Sequence, residues 1–92
     1  MTEAVISPDV VARYAGDAAC EVEGVTRVVE GVLKGIRVEG DELELHLAVC
    51  RGVAIPAVGA AVQQDVGDYL ERMAASRPLA VNVVVEAVDG AA

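Results

Sequence analysis

Ninety-two residues with a formal net charge of −8 make a chain sized for one domain and too acidic to hold a nucleic-acid backbone. At 54% hydrophobic and 24% charged residues the composition excludes intrinsic disorder, and with valine dominating the apolar set and no Phe or Trp the core has to be built from β-branched and small side chains. The longest uncharged stretch, residues 52–64, contains Pro56 and Gly59 and falls short of the ~20 apolar residues a membrane span needs, and no Lys or Arg run offers a local anionic-lipid contact.

The N-terminus has no basic segment followed by an apolar one, so the chain reads as cytoplasmic. It reads as a single domain over residues 1–92, with loose ends at 1–4 and 89–92. After a short extended start at Val5 and Ile6, Ser7-Pro8-Asp9 predicts a helix start. The Ser oxygen can accept from an unpaired N–H, Pro suits the first helical position, and Asp favours the positive helix end. Val11, Tyr14, Ala15, Ala18 and Val22 then share one helical face, and Gly24 is the expected stop.

Residues 25–32 and 33–39 are two short strand candidates, divided or bent around the glycines at 31 and 35. The turn residues Glu39-Gly40-Asp41-Glu42 lead into a third strand, where Leu43, Leu45, Leu47 and Val49 alternate with Glu44, His46 and Ala48. That pattern gives one buried face and one wet face, paired as a hairpin with Ile36 and Val38. Ile55-Pro56 opens a second helix whose apolar stripe is Val58, Val62, Val66, Tyr69, Leu70 and Met73.

Beyond Pro78, residues 79–88 form a valine-rich strand with Leu79, Val81, Val83 and Val85 on one side and Asn82 and Glu86 on the other. The expected architecture is an α+β two-layer sandwich: a small, mostly antiparallel sheet of three to four strands covered by two helices, in the order helix-strand-strand-strand-helix-strand.

Chemistry-bearing groups are sparse. His46 is the one histidine and has no partner of suitable spacing to activate a nucleophile, so no catalytic residue is assigned. The acidic cluster of Glu39, Asp41, Glu42 and Glu44 does not match a calcium loop and reads as a solvated turn, and Cys20 and Cys50 lack a paired metal or redox motif and read as free thiols. No cofactor or metal is expected.

Two places remain as interaction candidates. One is the strand-to-helix junction with Gly52, Ile55 and Pro56; the other is the last strand, with Asn82, Val84 and Glu86. At the sheet edge that strand would offer unpaired backbone groups to a partner strand, whereas at the sheet centre it would be covered by the helices.

Taken in order, Ile6-Ser7-Pro8-Asp9-Val10, Val22-Glu23-Gly24-Val25, Gly35-Ile36-Arg37-Val38, Gly52-Val53-Ala54-Ile55-Pro56, Val62-Gln63 and Val81-Asn82-Val83 give a chain that resembles the alkaline shock protein family of the bacterial envelope-stress response over nearly its whole length. The resemblance implies a non-enzymatic cytoplasmic scaffold that assembles with itself or gathers beneath the membrane through a membrane-anchored protein partner. A small iron–sulfur assembly domain, which uses a similar element order and could take Cys50 near the second helix as a ligand, stands as the alternative, as does a small-ligand binding or enzymatic domain using the Gly52 loop.

Overall fold

A computed structural model describes residues 7–29, 35–75 and 77–90. Helix α1 runs over Pro8–Cys20 with Ser7 as its N-cap, the Ser7 hydroxyl accepting from the Val10 N–H at 3.3 Å. The strands are β1 (Val25–Val28), β2 (Ile36–Glu39) and β3 (Glu42–Cys50); helix α2 (Ile55–Ala74) and strand β4 (Ala80–Asp89) complete the chain. The architecture is the α+β order expected from the sequence.

Strand β3 organises the sheet. β4 pairs with it in parallel from Glu42↔Ala80 to Cys50↔Asp89, occupying one side of β3 along its whole length. β1 and β2 share the other side in succession, both antiparallel, with registers Val28↔Leu47 and Ile36↔Leu45. His46 stands at the join: its carbonyl accepts from the Val29 N–H and its own N–H donates to the Gly35 carbonyl, both at 2.8 Å. At that join Gly35 is required, because a Cβ there would collide with the Val29 carbonyl oxygen and a Val28 methyl group.

Both helices cover one face. Leu43, Leu45, Leu47 and Val49 project from β3 into a single core with Ala15, Ala18 and Ala19 of α1 and Val58, Val62, Val66 and Leu70 of α2. The alanines let α1 approach closely, and the helices are joined further by Tyr14 and Tyr69, edge to face with centroids 5.9 Å apart. Burying this set supplies most of the favourable free energy, at about 1.5–3 kcal/mol for each fully covered Leu or Val.

Several expectations are corrected. α1 ends at Cys20, with Glu21 as its C-cap, and Gly24 lies beyond it in the turn into β1, because i→i−3 bonds from Glu21 and Val22 tighten the last turn first. Leu79 precedes β4, its N–H held by the Asp41 carbonyl, and is 83% exposed; Met73 is 49% exposed at the end of the α2 stripe. Ala48 faces the wet side yet is fully buried, since its methyl group lies where Arg27 reaches across β3 to Asp89. Asp89, expected in a loose end, is the last residue of β4 and is tied by the Thr26 hydroxyl at 2.6 Å and by Arg27. The expected extended start at Val5 and Ile6, and the strand residues expected over 30–34, lie outside the described residues.

Candidate interaction surface

The sequence left the place of the last strand open; the structure puts β4 at an edge. Among the described residues, β3 is the strand it pairs with. The direction of its backbone groups follows from two contacts. The Ala80 N–H approaches the Asp41 carbonyl at 3.4 Å, so in this parallel ladder Ala80 bonds to β3 and, by alternation, so do Asn82 and Val84. Val81, Val83 and Val85 therefore turn their N–H and C=O groups away from β3. The Val81 carbonyl is met there by the Gln63 side-chain amide of α2 at 2.9 Å.

That alternation holds up to a bulge. Leu47 pairs with Val85 but Ala48 pairs with Ala87, leaving Glu86 as the extra residue of β4. The bulge presents the Glu86 carboxylate on the open sheet face beside His46. One carboxylate engages each ring nitrogen of His46, Glu86 on Nδ1 and Glu44 on Nε2, both at 2.8 Å. The hydrogen bond to Glu44, then that to Glu86, hold the imidazole pKa above its ordinary value against the partial burial that opposes it. When protonated, the ring donates to both carboxylates, and two negative charges are bridged by one positive charge.

The cluster is poorly placed for catalysis. Both nitrogens of His46 are occupied by carboxylates, and among the described residues no Ser, Thr or Cys side chain hydrogen-bonds to the ring. Nor do the described residues contain a group of three His, Cys, Asp or Glu side chains positioned around a metal ion. Cys50 is half-buried and Cys20 exposed, both as free thiols. An open cleft of about 250 Å³ lies between α1 and β2, lined by Pro8, Ala12, Ile36, Val38, Glu44 and His46. It falls below the ~300–1,000 Å³ of ordinary small-molecule sites.

Of the residues singled out from the sequence, Asn82, Val84 and Glu86 come together on the open face of the edge strand, with Val84 directly opposite His46. Gly52, Ile55 and Pro56 form a separate group at the end of β3. There Gly52 adopts φ +90° in an open turn that suits glycine, Ile55 is 41% exposed, and Pro56 occupies the first turn of α2. Gln63 and the bulge at Glu86 were missed. A glutamine on the helical face next to the apolar stripe carries no signal of its own, and a bulge is invisible without the register of the neighbouring strand.

No family model, curated protein or solved structure matches the chain.

Proposed function

We propose that the chain is a non-enzymatic interaction protein that works by presenting the β4 edge to another protein strand. The observation that carries this reading is the run of outward-facing backbone groups at Val81, Val83 and Val85 of a ten-residue strand, which among the described residues only the Gln63 side chain meets. Long edges of this kind are ordinarily blunted by charge, proline or covering elements. Here the only charged residues of β4, Glu86 and Asp89, are both drawn into contacts within the sheet.

The resemblance of the sequence to the alkaline shock proteins supports a role for that edge in the bacterial envelope-stress response. In this reading the protein is a cytoplasmic scaffold, associating with itself or with a membrane-anchored partner that supplies the membrane attachment the chain's own acidic surface disfavours. No helix among the described residues is long and apolar enough to cross a membrane.

Fractionation of the native host before and after envelope stress tests the reading, with wild type compared against Val83→Pro. Proline at residue 83 removes an N–H that points away from β3, so the β3–β4 hydrogen bonds are kept while the edge is blocked, and circular dichroism of the variant checks that it folds. Recovery of the wild type with the envelope fraction, and loss of the variant from it, is expected. Equal distribution of both forms in the soluble fraction under every condition would overturn the envelope role.

A further inference from the structure

The geometry points to a second copy of this chain as an occupant of the edge, paired β4 to β4 in antiparallel orientation about a two-fold axis through Val84. This deepens the association reading above by naming the partner and the register.

The register follows from which groups are free. In an antiparallel pair, two residues that exchange hydrogen bonds must both turn their backbone groups toward the partner, and such pairs alternate with pairs that do not bond. Among the described residues no side chain takes the outward-facing carbonyls of Val83 and Val85, whereas the Val81 carbonyl is held by Gln63. Setting Val83 of one copy opposite Val85 of the other satisfies both residues twice over and leaves the Gln63 contact intact. This arrangement places Val84 opposite Val84 as a non-bonded pair and Asn82 opposite Glu86.

The side chains agree with that register. Asn82, Val84 and Glu86 all stand on the open face, so the two valines meet at the axis and each Asn82 amide faces a Glu86 carboxylate. Two copies each carrying −8 repel one another at long range, and a register that set Glu86 against Glu86 would add a like-charge pair at the contact. The Val84-centred register avoids it. Centring on Val83 instead would require Val81 to exchange bonds with Val85, displacing Gln63. The proposed arrangement turns the sheet into one continuous eight-stranded layer with the helices of both copies on one face, and closes the free edge by symmetry.

Disulfide trapping reads the register directly. Opposed residues of a non-bonded antiparallel pair have Cα atoms about 4.5 Å apart, within the range a disulfide spans. In a Cys20→Ser, Cys50→Ala background under mild oxidation, Val84→Cys is expected to give a covalent dimer. Asn82→Cys and Glu86→Cys alone are expected to stay uncrosslinked, but to cross-link when mixed. The mixture keeps the test informative if Val84→Cys disturbs the fold, since both its positions are exposed. Self-crosslinking of Asn82→Cys or Glu86→Cys in place of Val84→Cys overturns the register while leaving association at the edge standing. Absence of cross-links in every combination, with the chains folded, overturns self-pairing and leaves the envelope fractionation as the separate test of a different protein on the same edge.

Discussion

The Gln63 side-chain amide donates to the Val81 carbonyl at 2.9 Å, so a residue of α2 closes part of the backbone edge that β4 turns outward. Removing that amide by Gln63→Ala is expected to cost about 1 kcal/mol of stability, the ordinary worth of a single hydrogen bond. It is also expected to leave self-association unchanged, because the Val84-centred register bonds through Val83 and Val85 and does not use the Val81 carbonyl. Urea denaturation measures the first effect and sedimentation equilibrium the second; association strengthened by the substitution would bring the Val81 carbonyl into the interface and contradict the Val84-centred register.

His46 sets a pH dependence with a definite sign. Its folded-state pKa lies above the unfolded value of about 6.5, so the imidazolium contribution is fully present below that pH and is lost as pH rises through the raised folded value. The stability difference between wild type and His46→Gln should therefore be largest below about pH 6.5 and shrink as pH rises above it. A difference that grows with pH would contradict the Glu44–His46–Glu86 geometry.

Asp89 carries the opposite sign. Bonds from Thr26 and then Arg27 hold its carboxyl below the usual range, so its contribution is present at neutral pH and is lost as pH falls through that depressed value. Asp89→Asn should flatten the acid limb of the stability profile. It should also speed amide exchange at Arg51, whose N–H bonds to the Asp89 carbonyl at 3.1 Å.

Gly35→Ala should destabilise the fold by about 2 kcal/mol or more, as an added methyl group has to displace backbone rather than a flexible side chain. Ala75→Gly should act in the other direction. Ala75 ends α2 in the left-handed conformation at φ 54°, where a Cβ costs roughly 1 kcal/mol, and the midpoint of urea unfolding should rise.

These residues also mark what could be read without the structure. Ser7-Pro8 and Ile55-Pro56 announce both helix starts because capping and proline chemistry are local, and the Leu43–Val49 alternation announces the central strand because one face must be buried. Whether β4 lies at an edge was not legible. Val81, Val83 and Val85 alternate identically beside one neighbour or two, and only the parallel pairing with β3 decides. The His46–Glu86 contact spans 40 positions and depends on the Glu86 bulge, so no spacing rule finds it. Ala48 and Leu79 show the same limit from the other side: tertiary neighbours bury the first and leave the second exposed, against their local pattern.

Association through β4 is tested most directly by light scattering behind size exclusion in reducing buffer, over a wide concentration series, for wild type and Val83→Pro together. The expected result is a wild-type mass that climbs from 9.5 kDa toward twice that value, while Val83→Pro remains at 9.5 kDa. A wild type that stays at the single-chain mass throughout, or a Val83→Pro variant that associates as the wild type does, would contradict self-association at this edge.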